Sequence, residues 1–138
     1  LRNACLLIDA KRETQLIEGG IRQFKIRTPN AQKKILELSG GNQQKAVVAR
    51  AHETNPDVII LDEPTKGIDV GAKSEFYKMI CEYARMGKGV ILISSELPEI
   101  IGLSDRIIVM REGRVTGEVS RKDATEELIL QYAMLGGD

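Results

Sequence analysis

The sequence predicts an α/β fold, a mostly parallel sheet flanked by helices, and three observations predict it. Residues 58–61 (Val-Ile-Ile-Leu) and 89–93 (Gly-Val-Ile-Leu-Ile) are short, continuously apolar, β-branched runs, the pattern of strands buried on both faces. Between them, residues 71–86 place Phe76, Met79, Ile80 and Tyr83 on one stripe at helical spacing, with Gly87 as the stop. Beyond the second run, Pro98 opens a short helix to residue 103, and residues 106–110 form a third apolar strand. Strand, helix, strand, helix, strand is the order of a parallel sheet with covering helices.

The other elements follow from local chemistry. Residues 10–24 read as a helix with Leu16, Ile17, Ile21 and Phe24 near a 3.6-residue period, although Gly19 and Gly20 weaken it by about 1 kcal/mol each. Thr28-Pro29-Asn30 marks a turn, because the residue before proline is pushed toward extended geometry, and a short helix is predicted over residues 31–36. A helix over residues 42–54 ends at Asn55-Pro56-Asp57. Glu112-Gly113 reads as the turn of a hairpin leading into residues 114–119. Asp123 or Thr125 caps a final helix through residue 135 that buries Leu128, Tyr132 and Leu135. Gly102, Gly113 and Gly117 read as structural turns, and residues 1–9 carry no assignment.

Composition narrows the function class. A chain of 138 residues suits one domain or part of one and buries about 68% of its unfolded surface. Lys and Arg number 20 against 20 Asp and Glu, so no strong field points to nucleic acid or to an anionic membrane. Cys5 and Cys81 stand far apart without a CxxC or His neighbour, which reads as idle thiols rather than a bridge or a metal site. No apolar run approaches the length of about 18 residues that a membrane helix needs, and no signal peptide is visible. The chain starts at Leu1 rather than Met, which suggests a piece excised from a longer protein.

Two stretches carry chemistry. Ser39-Gly40-Gly41 removes side chains where a helix begins, leaving backbone N–H groups and a positive dipole end to receive an anion such as phosphate. Taken alone, Ser-Gly-Gly is usually turn punctuation with an ordinary N-cap. Asp62 and Glu63 stand where the apolar run 58–61 stops, and ligands collect beyond the carboxyl ends of parallel strands. Alternating side-chain direction gives the pair separate jobs: Asp62 suits Mg²⁺, and Glu63 suits the orientation or deprotonation of an attacking water. An acidic turn after a strand is common by itself; with residues 38–45 upstream it becomes specific.

The whole run Leu38-Ser39-Gly40-Gly41-Asn42-Gln43-Gln44-Lys45 resembles the signature motif of ABC-type ATPases, in the variant of bacterial ABC sugar importers. The resemblance continues through Ile60-Leu61-Asp62-Glu63-Pro64-Thr65-Lys66-Gly67-Ile68-Asp69-Val70-Gly71-Ala72-Lys73. It returns in Ile93-Ser94-Ser95-Glu96-Leu97-Pro98-Glu99, in Ser104-Asp105-Arg106-Ile107-Ile108-Val109-Met110, and upstream in Phe24-Lys25-Ile26-Arg27-Thr28-Pro29. The fold it implies is part of an ABC-type P-loop NTPase domain with a remnant of its helical subdomain. Residues 1–54 would be the end of that subdomain, and residues 55–138 the C-terminal half of the RecA-like core.

The resemblance also implies roles, ligands and partners. Ser39, Gly40, Gly41 and Asn42, with Gln43, match the segment that presses on the γ-phosphate of ATP held by the opposite nucleotide-binding domain. Asp62 and Glu63 match the Walker B aspartate and the catalytic glutamate. Asp69 matches the D-loop residue that communicates across the dimer, and it reads equally well as a helix cap. Ser95 stands where well-hydrolysing members carry a switch histidine; a shorter, uncharged hydroxyl cannot do the same work. His52 and the basic group Arg111, Arg114, Arg121 and Lys122 read as ordinary solvated residues.

The implied ligands are ATP and Mg²⁺. The implied partners are the first nucleotide-binding domain of the same protein and membrane permease subunits, with no nucleic acid and no direct sugar contact. The implied location is peripheral, on the cytoplasmic face of the bacterial inner membrane. No Gly-x₄-Gly-Lys-Ser/Thr string occurs in the 138 residues, and Gly87-Lys88 is the only Gly-Lys pair, so the phosphate cradle is missing from this piece. The expected function is thus a fragment of the ATP-hydrolysing motor of a sugar importer, from the second nucleotide-binding domain and inactive alone. Its rivals are a non-transport ABC-type ATPase and a catalytically idle assembly domain.

Overall fold

The computed structural model describes residues 9–135; Cys5 and the Leu135 side chain lie outside the described part. The chain divides into two compact units: the chain up to Ile59 with Thr65–Val90, and Ile60–Pro64 with the chain from Ile91 onward.

In the first unit, α1 (Ala10–Gln23) is capped by Asp9, whose carboxylate accepts from the Lys11 and Arg12 N–H groups. Gly20 is buried with Ala49 opposite: an added Cβ would sit 3.6 Å from the Ala49 Cβ. That close approach of α1 to α2 (Gly40–His52) accounts for a glycine that helix propensity alone disfavours. Residues 31–36 form no α-helix; a 3₁₀ turn at Ile35–Glu37 takes their place. Leu36 is 84% exposed, so the segment has no buried face to stabilise a full helix, and short isolated helices are marginal without one.

Helix α3 (Val70–Arg85) buries Phe76, Met79, Ile80 and Tyr83, the stripe read from the sequence, and Gly87 follows at φ +80°. His52 does not lie free in solvent as expected. Its ring stands edge-on to Phe24 at 5.3 Å and to Tyr83 at 5.6 Å, and its Nε2 pairs with the Gln23 amide at 3.1 Å. The sequence hid this because both aromatic partners are distant along the chain.

Strands β1 (Val58–Asp62) and β2 (Gly89–Ile93) pair with each other. The Gly89 N–H donates to Asp57 O at one end and the Glu63 N–H to Ile93 O at the other, both 2.8 Å, so the strands run parallel. The expectation that both are buried on two faces is corrected. Ile59 and Leu61 are buried, but Val58, Ile60, Ile91 and Ile93 are about half-exposed or more. Continuous apolar runs do signal a doubly covered strand; among the described residues one face lacks its cover.

In the second unit, α4 (Leu97–Leu103) leads into β3 (Arg106–Arg111) and β4 (Arg114–Ser120). The predicted hairpin is present, with Glu112 and Gly113 at φ +50° and +77°, the angles a tight primed turn requires. The third strand of the expected parallel sheet is corrected by it: β3 pairs antiparallel with β4 in a separate two-stranded sheet. Antiparallel neighbours can be joined by a two-residue turn, and through it β4 pairs one edge of β3.

Helix α5 (Glu126–Leu135) is capped by Thr125, which accepts from the Leu128 N–H at 3.2 Å, whereas Asp123 instead accepts from the Ser120 hydroxyl. Ile107, Val109, Val119 and Ile129 form the core here, with Leu128 and Tyr132 packed against it. Gly117 is corrected too: it lies inside β4, opposite Val109, beneath the Tyr132 ring.

Candidate functional site

The candidate residues are carried by two short arrangements, one in each unit. The first is the tip of α2. Ser39 holds extended angles at its N-cap position but makes no side-chain cap; its carbonyl accepts the Asn42 and Gln43 N–H groups at 2.9 Å each. The helix therefore opens two residues earlier than expected, at Gly40, and the Gly40 and Gly41 N–H groups precede the first intrahelical donor, the Asn42 N–H. Gly41 is glycine for a second reason: a Cβ there would come within 2.7 Å of the Ala72 Cβ on α3. A Cβ on Gly40 would likewise press to 3.1 Å from Ile68 Cγ2. Gly41 thus allows close packing of α2 on α3, and Gly40 close packing on the segment just ahead of α3.

One turn further along this contact, the Lys45 ammonium is buried and donates to Glu75 at 2.7 Å and to Lys25 O at 3.4 Å. Glu75 also receives the Arg27 guanidinium at 2.6 Å. A cavity of about 220 Å³ is lined by Ser39, Asn42, Lys45, Asp69 and Glu75, among others. Asp69 caps α3 by accepting from the Ala72 N–H at 2.9 Å, so the helix-cap reading is realised in the structure. Sequence reasoning missed the Arg27–Glu75–Lys45 group. Its signal was a lysine one turn beyond Gly41, on the helix face that must meet α3.

The Lys45 hydrogen bond, then the Lys45 and Arg27 charges, hold the Glu75 carboxyl below its ordinary value of 4.5. A carboxylate whose folded value is depressed contributes stability above its unfolded value and loses it as pH falls through the folded one. The contribution of Glu75 is therefore expected to be lost as pH falls below its ordinary value of 4.5. Glu75→Gln removes that part of the acid sensitivity, as melting curves at pH 7 and pH 3 would record.

The second arrangement is the end of β1. Asp62 is exposed at the carboxyl end of the strand, on the alternating face shared with Val58 and Ile60. Glu63 follows at φ +45°, a left-handed conformation that is costly for a residue with a Cβ and that concentrates at functional sites. Its Oε1 accepts the Ser95 backbone N–H at 2.9 Å. The structure thus joins Glu63 to the position of Ser95, through the serine's backbone rather than its hydroxyl. Among the described residues no cluster of three or more His, Cys, Asp or Glu forms a cage for a metal ion. Asp62, an exposed carboxylate at the end of the strand, has the oxygen donor chemistry that Mg²⁺ takes, and that ion needs few protein ligands because it keeps several waters.

Residues 4–66 match the family model of the ABC transporter. An ATP-binding cassette solved as a dimer in a post-hydrolysis state with ADP and phosphate superposes with a TM-score of 0.72 over 83% of this chain and 50% of that one, at 23% identity. A nucleotide-free cassette from an ABC transporter gives 0.75 over 87% and 46%, also at 23% identity. The chain has the fold of the ATP-binding cassettes.

It is homologous to sugar-import ATP-binding proteins. It is 54% identical over 135 residues to the arabinose import ATP-binding protein AraG 1 of Burkholderia thailandensis, covering 97% of this chain and 27% of that protein. It is 53% identical over 129 residues to the ribose import ATP-binding protein RbsA of Caldanaerobacter subterraneus subsp. tengcongensis, covering 94% and 26%. The chain spans about a quarter of the length of these relatives.

Proposed function

We propose that this chain is the C-terminal part of the second nucleotide-binding domain of a bacterial sugar importer's ATPase. Residues 1–54 end its helical subdomain, and residues 55–138 form the later half of its core. The observation that carries the reading is the tip of α2, where the exposed Ser39 and Gly40 and the buried Gly41 leave a serine hydroxyl and glycine N–H groups together at a helix N-terminus.

The segment of Ser39, Gly40, Gly41, Asn42 and Gln43 presses on the γ-phosphate of ATP seated on the first nucleotide-binding domain, with the Ser39 hydroxyl as its side-chain donor. Asp69, besides capping α3, faces that partner domain. Asp62 holds Mg²⁺, which when bound neutralises phosphate charge. Glu63 orients or deprotonates water on the second site, beside Ser95. The partners are that first domain and the permease subunits; neither sugar nor nucleic acid touches this piece. Its place is the cytoplasmic face of the inner membrane, peripherally. Among the described residues no helix is long and apolar enough to cross a membrane.

The intact signature and the serine at the switch position make the two ATP sites unequal. The site completed by Ser39 turns over, and the site built on Asp62 and Glu63 is slow or regulatory. A catalytically idle assembly role is the second reading, and Ser95 is the observation that favours it.

Because no phosphate cradle exists in these residues, calorimetry on the 138-residue chain is expected to show ATP binding no tighter than about millimolar, roughly 4 kcal/mol. Micromolar binding would refute the trans arrangement. Co-purification of the intact protein with a permease, rather than retention on DNA, separates an importer from a non-transport ATPase.

A further inference from the structure

We propose that Asn42 sets the polarity of the Ser39 hydroxyl, directing its proton toward an anionic acceptor outside the protein; this rests on the reading of Ser39 given above. Asn42 Oδ1 accepts the Arg27 backbone N–H at 2.8 Å, and its Nδ2 lies 2.8 Å from Ser39 Oγ. A backbone N–H can only donate, so the oxygen end of the amide must face Arg27 and the NH₂ end must face the serine. Ser39 Oγ is therefore obliged to accept from Asn42. A hydroxyl has one proton, and this one remains for donation elsewhere.

The position of Arg27 is itself fixed. Lys25 at φ +50° turns the chain ahead of it, Glu75 holds its guanidinium, and buried Lys45 ties Glu75 to α2. On the other side, the Gln43 amide donates to Leu38 O at 2.8 Å and steadies the residue before Ser39. Both ends of the Asn42 amide are thus engaged inside the protein. Asn42 is a positioning residue that acts through Ser39, with a donor preset where phosphate charge arrives.

The test uses the intact ATP-binding protein with its partners and measures kcat and KM for ATP by phosphate release. Asn42→Asp keeps the size and the acceptor for Arg27, but its second oxygen draws the serine proton inward. Asn42→Ala removes the donor without adding charge. Asn42→Asp and Ser39→Ala are each expected to lower kcat about tenfold, and Asn42→Ala about threefold, with KM within about threefold of the parent. In the Ser39→Ala background either Asn42 change should cost less than about twofold. Equal cost with and without the hydroxyl would overturn the proposal, since charge or packing would then explain the effect. If Ser39→Ala itself leaves kcat unchanged, the signature reading fails as well. Unshifted melting curves separate these outcomes from unfolding.

Discussion

Ser39→Arg in the intact ATP-binding protein is expected to lower ATP turnover by about a hundredfold, the scale of losing a preset donor to developing phosphate charge. Ser39 is exposed at the start of α2 and its hydroxyl is held by Asn42. Arginine removes that hydroxyl and lays a long cationic side chain over the Gly40 and Gly41 N–H groups. A cation at the positive end of a helix is also unfavourable by some tenths of a kcal/mol. The companion variant Glu63→Gln is expected to lower turnover by no more than about half, because in the proposed arrangement the site it serves is the slow one. Phosphate release at saturating ATP measures both. If Ser39→Arg kept the parental rate and Glu63→Gln removed it, the two sites would have been assigned in reverse.

Gly117→Ala is expected to destabilise the hairpin unit by about 3 kcal/mol, at the upper end of what overpacking usually costs. An added Cβ would lie 2.5 Å from Tyr132 Cδ2 and 2.8 Å from Cδ1, so the ring must leave its seat against β4. Tyr132 packs on the core of Ile107, Val109, Val119 and Ile129, and displacing it loosens α5 from the sheet. Urea unfolding checks this, and the double variant with Tyr132→Ala sharpens it. Once the ring is gone, Gly117→Ala should add almost nothing to the loss from Tyr132→Ala alone. A full additional loss would place the cost in the β4 backbone instead.

Much of the local structure was legible in the residues. The stripe of Phe76, Met79, Ile80 and Tyr83 announced α3, and Gly87 its end. Glu112-Gly113 announced the hairpin, whose turn angles few other pairs adopt readily. The places of Asp62, Glu63 and Ser39 beside element ends were also readable, because strand and helix boundaries are set by short-range chemistry. What failed needed knowledge of neighbours. Gly117 looked like a turn because Tyr132 is remote in sequence, and His52 looked solvated because Phe24 and Tyr83 reach it from other helices. The third strand looked parallel because sequence order does not say which edge a strand will find.

By itself, then, the sequence determined most of the segments that become helix or strand and the residues near their ends, residues 31–36 and Gly117 excepted, since propensity, caps and breakers act over a few residues. Only the tertiary structure decided that Glu63 receives the Ser95 N–H, that Lys45 is buried against Glu75, and that Asn42 is held between Arg27 and Ser39. Those contacts join residues brought close by packing, and both hydrogen bonds and ion pairs depend on separations of a few tenths of an ångström that no local pattern encodes.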